Sequence, residues 1–565
     1  MQVFESAEKG QIDTLRTLLT TSSNPSDLIL HTDSIGRTAL HTALNRDIAE
    51  LLIEFAKPNT KKLLWITSKI SKHTALDSAI FANKTDIVEY LCGLTSADHE
   101  LLVDGYLLPS RSPLHKAKST GMAKTLIKYI PDDKLTTFLL HTDVYGWTAL
   151  HGAAKGGCND LVEFYCSIAP PELILCKDIF NYTALHVAYT EVAVQVLLQS
   201  LAEPVRKEMI LTLNKEGQTA LHTLVECLYV EPEAVKYYIS CSSDSNELLF
   251  IKDRSGKTAL HYACSEEITL ILIDSAQDKE RYVCTKDNDG QTALHHALTV
   301  EIAHSLVDAA EDEVTYVSIA DNTGRTALHY ARTEEIAMLL VDTVDDPIGY
   351  LNISDCEGNT AIMYMVVAGL TETFQGVIEY IHDNYDASVI KKFLSQTNAK
   401  KQNIFHLVSI SPLVEDFFEI LQDYIDVVDL SDVLSTDITN NTLMTYLVAR
   451  FSTRPLAELV LRAPFWKRRE WLLTKNEQGT DPQSVLKLKK FVKEFYREKV
   501  LCITGDQHYY KLFSGNSRLS IRQRFHPEEH IRYDDVIWKI IKYGLNEYSL
   551  LDQHLPFAAE VSDLY

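Results

Sequence analysis

A short phrase recurs along this chain at a nearly fixed interval, and that recurrence limits the fold more than any other feature. It reads GRTALH at Gly36, KHTALD at Lys72, RSPLH at Arg111, GWTALH at Gly146 and NYTALH at Asn181. It continues as GQTALH at Gly217, GKTALH at Gly256, GQTALH at Gly290, GRTALH at Gly324 and GNTAIM at Gly358. Taking the Thr or its equivalent as the marker gives positions 38, 74, 112, 148, 183, 219, 258, 292, 326 and 360, in steps of 34 to 39 residues. Weaker echoes follow at Asn403, Thr442 and Thr480, and a headless one precedes the series around Phe4. A chain built this way is a stack of like units, so its 565 residues do not divide into three or four globular domains as length alone suggests.

The physics of one unit is readable. Thr is a good N-cap, and the His three residues on stands where a polar side chain bonds back toward the cap. The pairs are Thr38 and His41, Thr148 and His151, Thr183 and His186, Thr219 and His222, Thr258 and His261, Thr292 and His295, Thr326 and His329. A second apolar run at helical spacing follows, as in Ile336, Met338, Leu339, Leu340 and Val341. Before each cap, D-x-x-G (Asp253 to Gly256, Asp287 to Gly290, Asp321 to Gly324) is turn chemistry, an Asx bond with a Gly free to take positive φ. Each unit is turn, helix, loop, helix. None can bury its own apolar face, so the units must stack.

The pattern resembles that of the ankyrin repeat family, D-x-x-G-x-T-P-L-H-x-A-A, which the run DVYGWTALHGAA from Asp143 to Ala154 meets almost letter for letter. The likeness extends over residues 1–482 and is strongest from 36 to 363. It implies an all-α ankyrin-repeat solenoid of about twelve to fourteen helix-turn-helix units. The divisions are 1–363 for regular repeats, 364–482 for degenerate ones and 483–565 for a helical cap or small domain. There are departures. The Pro of TPLH survives only at Pro113, and the glycine turn between the helices is mostly lost, its clearest survivor being Lys155-Gly156-Gly157. Units such as the one from Thr258 have a clipped inter-helix loop and a lengthened connector, Lys279 to Cys284 or Val314 to Ile319. An extended hairpin arm and an extra turn of helix are both open for these connectors.

Charge narrows the partners. The chain carries 54 basic and 78 acidic side chains, a formal −24. Residues 483–565 hold 13 basic and 11 acidic groups, leaving −26 on residues 1–482. An acidic array disfavours nucleic acid and anionic membrane surfaces and favours a protein partner with a basic surface. No run reaches the roughly 18–20 apolar residues of a membrane span. The first residues lack a signal-peptide layout, and ten scattered cysteines without a CxxC pair read as reduced thiols. A cytoplasmic monomer is expected.

Catalytic and metal constellations are thin, and no enzyme, cofactor or metal is expected. Nine of the twenty histidines, including His115 and His406, hold the repeat position. On successive units about 10 Å apart they are too distant to share a metal ion. His526 to His530 formally matches H-x-x-E-H, but Pro527 reads better as a helix start. Cys502, Asp506 and His508 lack an oxyanion-hole signature, and Lys467 to Arg469 reads as a solvated basic face.

The family resemblance also implies that residues flanking the turn glycine face partners from the concave side. Those positions are Ile35 and Arg37, Tyr145 and Trp147, Phe180 and Tyr182, Glu216 and Gln218, Ser255 and Lys257. The candidate contact residues are therefore Tyr145, Trp147, Phe180 and Tyr182, with Arg37 and Lys257; aromatic residues are enriched at binding hot spots. Packing of these rings against each other or the connectors is the competing expectation. The expected function is a protein-interaction scaffold or adaptor. The alternative is a host-directed effector of an intracellular microbe, acting in the host cytosol, with residues 483–565 carrying a second binding or enzymatic activity.

Overall fold

A computed structural model describes residues 2–94, 112–168, 170–424, 428, 433, 435–450 and 474–479. The motifs at Lys467 to Arg469, Cys502 to His508 and His526 to His530, and the segment 483–565, lie outside the described residues. The chain forms two compact units, Met1–Asn288 and Asp289–Tyr565. Both are helical and built from the same motif.

Each motif begins with its turn. The Asp143 carboxylate accepts from the amides of Tyr145 (2.9 Å) and Trp147 (3.0 Å). Asp253 and Asp321 do the same for the second and fourth residues after them. Asn214 and Asn398 substitute for Asp with the same bonds. The turn glycines take positive φ, +81° at Gly146 and +78° at Gly256, while Asn181 adopts +64° where the glycine is missing. Gly146 is needed for a second reason. A Cβ there would lie 2.9 Å from the amide nitrogen of Ile179, which bonds to the Tyr145 carbonyl at 3.0 Å. Successive turns are thus tied backbone to backbone. The tie recurs at Lys215 to Phe180 and Arg254 to Glu216 in the first unit, and at Cys356 to Thr323 and Ala399 to Glu357 in the second.

The T-x-x-H pair joins repeats as well as capping helices. The Thr183 amide donates to His186 Nδ1 (3.2 Å), and His186 Nε2 lies 3.3 Å from the Gln218 carbonyl of the next repeat. Since Nδ1 accepts, Nε2 carries the proton and donates. The same relay runs from His41 to His73, His115 to Trp147, His151 to Tyr182, His222 to Lys257 and His295 to Arg325. It persists in the degenerate part, where His406 reaches the Ser435 carbonyl at 2.9 Å. Asp77, in the histidine's place, accepts from the Thr74 amide and forms a buried ion pair with Lys116 at 2.7 Å.

The lengthened connectors are helices, Lys279–Val283 and Glu313–Val317, capped by Asp278 and Asp312. Among the described residues the regular units therefore hold three helices rather than two, as in Ala259–Tyr262, Glu266–Ser275 and Lys279–Val283, the unit from Thr74 being described only as far as Leu94. The clipping falls mainly on the first helix rather than the loop. It runs over seven residues at Ala149–Lys155 but is a four-residue 3-10 turn at Ala259–Tyr262 and Ala327–Tyr330. The motif Leu is buried in every regular repeat, as at Leu150, Leu185, Leu260 and Leu328, each worth roughly 1.5–3 kcal/mol. Buried tyrosines seal neighbouring repeats: Tyr238, on the second helix Pro232–Ser240, bonds the Ile210 carbonyl at 2.6 Å, and Tyr350, on the third helix Pro347–Leu351, that of Val317 at 3.0 Å.

Candidate functional site

The register of the D-x-x-G turn separates the two residues that flank its third step. The residue before the glycine stands at the tip, and Tyr145 and Phe180 are 56% and 52% exposed there. The residue after it folds back over the short helix. Trp147 donates its indole N–H to Asp178 Oδ2 at 2.9 Å, and its ring lies 6.0 Å from that of His151. Tyr182 meets His186 edge-on at 5.5 Å.

These four aromatic residues line one open groove of about 920 Å³ in the first unit. Val187 and Tyr189 add to its apolar lining, and Thr223, Glu226 and Cys227 come from the following repeat. Arg37 and Lys257 do not line it. Arg37 bonds Asp33 within its own turn at 2.9 Å, and Lys257 Nζ lies 5.5 Å from the Tyr262 ring centroid.

The groove's charges are unequal. Asp143, Asp178 and Glu226 line it against one cation, Lys155, whose Nζ sits 5.0 Å from the centre of the Trp147 ring. Burial holds His186 down to about 4, so it adds no positive charge at neutral pH. Burial and then the Glu226 charge push the Tyr182 phenol up, and both residues line the groove. Glu226 is exposed and has no hydrogen-bond or ion-pair partner among the described residues. Immediately after it, Leu228 and Tyr229 are 73% and 86% exposed. Glu226 and Tyr189 escape a reading of the sequence confined to turn tips. The signal was the apolar CLYV following the motif helix.

In three other repeats the position after the turn glycine holds a cation, Arg37, Lys257 and Arg325, and in three more a neutral amide, Gln218, Gln291 and Asn359. Arg325 lies 4.6 Å from the Tyr364 ring centre and 3.4 Å from Asp355 Oδ2. A tyrosine directly after the motif His position, which holds His329, Met363 or Thr445, serves the stack, as Tyr330, Tyr364 and Tyr446 meet the preceding repeat's histidine edge-on. In the groove, Gly152 and Val187 occupy that tyrosine's place, which leaves room above the short helices. Among the described residues no group of three or more His, Cys, Asp or Glu is placed to hold a metal ion, and no helix is long and apolar enough to cross a membrane.

Comparison with known proteins agrees with the repeat geometry. Residues 3–102 and 224–318 match the family model for ankyrin repeats (three copies). The human transient receptor potential cation channel subfamily A member 1 is 29% identical over 156 residues; the match spans 27% of this chain and only 13% of the channel. The solved ankyrin repeat domain of Bcl-3 aligns at 21% identity with a TM-score of 0.31, over 43% of this chain and 98% of that one. With the family match over residues 3–102 and 224–318, the T-x-x-H relay and the backbone-tied Asx turns together, this chain carries ankyrin repeats.

Proposed function

We propose that this protein is a scaffold or adaptor that recognises a protein partner through the face bearing its turn tips and short helices, with the aromatic groove of the first unit as the hot spot. Ankyrin repeats generally serve as protein–protein interaction modules. The observation that carries the specific reading is the exposure of Tyr145 and Phe180 on two successive turns beside a groove of net negative charge. Rigid aromatic rings provide large contact area at low cost in conformational entropy, and surrounding acids steer a basic surface toward them. Under this reading the protein acts as a monomer in the cytoplasm. We read residues 1–363 and 364–482 as the regular and degenerate repeats of the binding array, and 483–565, which lie outside the described residues, as a helical cap or small domain.

The test compares the full chain with its Tyr145→Ala/Phe180→Ala double variant in capture of partners from lysate, read by mass spectrometry. Loss of a distinct set of basic proteins, with an unchanged melting curve, supports the reading. Identical captured sets overturn it.

A further inference from the structure

Resting on that reading of the groove, we propose that its slot between Phe180, Tyr182, Tyr189 and Glu226 receives an arginine side chain of the partner, the guanidinium stacking on an aromatic face and forking onto the Glu226 carboxylate.

Three observations carry this. First, the groove offers aromatic rings on two successive repeats with an exposed carboxylate beside them. Planar guanidinium satisfies both surfaces at once, whereas an ammonium is a compact and strongly hydrated charge that cannot fork. Second, the chain uses this chemistry on itself. Arg325 covers the Tyr364 ring and reaches the Asp355 carboxylate from the position after the turn glycine. The corresponding positions in the groove are the aromatic Trp147 and Tyr182, so these two repeats supply no cation of their own at that place. Third, the internal cations nearby are engaged elsewhere. Lys155 lies over Trp147 and Lys257 over Tyr262, and neither forms an ion pair with Glu226. The carboxylate beside Tyr182 therefore remains open to a cation from outside.

The test uses the full chain and two fluorescein-labelled probes of equal charge, hexa-arginine and hexa-lysine, titrated by anisotropy in about 0.15 M salt, where long-range attraction to the acidic array is screened. Hexa-arginine is expected to bind about tenfold more tightly than hexa-lysine. Glu226→Gln and Tyr182→Phe are the informative variants. Glu226 is exposed and makes no internal bond, so its loss leaves the fold intact, and Phe keeps the ring. Glu226→Gln is expected to remove most of the arginine preference, and Tyr182→Phe to keep it. Equal affinity for both probes, or a preference that survives Glu226→Gln, overturns the arginine anchor. If the probes bind equally and both are lost in Tyr145→Ala/Phe180→Ala, the anchor fails while the groove reading stands. If that double variant binds both probes as the wild type does, the groove reading fails with it.

Discussion

Replacing His186 with Leu isolates the bond that joins one repeat to the next. The ring is 1% exposed, accepts from the Thr183 amide through Nδ1 and donates to the Gln218 carbonyl through Nε2. Leucine fills similar space but satisfies neither group. Thr183 is fully buried, so its amide loses its partner out of reach of water. Leaving a buried polar group unpaired costs about 1–3 kcal/mol, and the carbonyl adds a smaller penalty because it has two lone pairs. The sum for His186→Leu is about 2–4 kcal/mol.

Asparagine at the same place separates the two halves of this loss. Its side-chain oxygen accepts from the Thr183 amide as Asp77 does from Thr74 (2.9 Å), but it is too short to reach the next repeat. His186→Asn is therefore expected to cost about 1–2 kcal/mol, half or less of the leucine variant. Urea unfolding followed by circular dichroism reads the difference, and hydrogen exchange at the Thr183 amide reads the cap directly. Exchange should accelerate strongly in the Leu variant and little in Asn. If Leu destabilises no more than Asn, the buried amide is not what the histidine protects, and the relay account is wrong.

The same relay makes the fold sensitive to acid. His41, His151, His222 and His406 are lowered by burial, and His186 is held down to about 4. The unfolded chain takes up these protons near pH 6.5 while the folded one does not, so stability is full above that pH and is lost progressively as pH falls toward 4. His186 alone should cost about 2 kcal/mol between pH 7.5 and 5; a urea midpoint unchanged across that range contradicts a ring held neutral by burial. Trp147→Ala should lower stability by about 2 kcal/mol, since the indole bond to Asp178 and the stack on His151 both go. Tyr145→Ala and Phe180→Ala should each stay within about 0.5 kcal/mol, and thermal melts of the three variants check the contrast. Lys116→Met leaves the Asp77 carboxylate buried without its cation and should cost about 3 kcal/mol in urea unfolding, recovered in part by Asp77→Asn in the same chain.

The sequence made the stack legible because each of its letters has a local cause. Asp143, Gly146, Thr148 and His151 act within nine residues of one another, and spacing along the chain carries that information. The relay from His186 to Gln218 is not local: it joins residues 32 apart, and only stacking brings the carbonyl to the ring. The connectors stayed ambiguous because Lys279–Val283 has five residues, too few for helical periodicity to show. The cap was nevertheless written there. Asp278 and Asp312 accept from the third residue after them, the same signal that marks helix starts elsewhere.

The groove shows where local reading stops and packing takes over. The sequence offered Tyr145, Trp147, Phe180 and Tyr182 as equivalent, because all four flank a turn. The fold divides them by one step of register. Gly146 and Asn181, both at positive φ, are each preceded by an exposed ring and followed by one that meets the histidine of the short helix. The tip rings are free to carry binding, and the inner ones carry stability as well, so the two pairs should respond differently to the same substitution. Glu226 belongs with them for a reason no single repeat contains. It lies on the next repeat and lines the same groove as Tyr182, and the Lys215 amide ties that repeat's turn to the Phe180 carbonyl at 2.8 Å. A recognition surface of this kind is written across repeats. Its acid and its rings come from different copies of the motif, and only the stacking interval decides which of them meet.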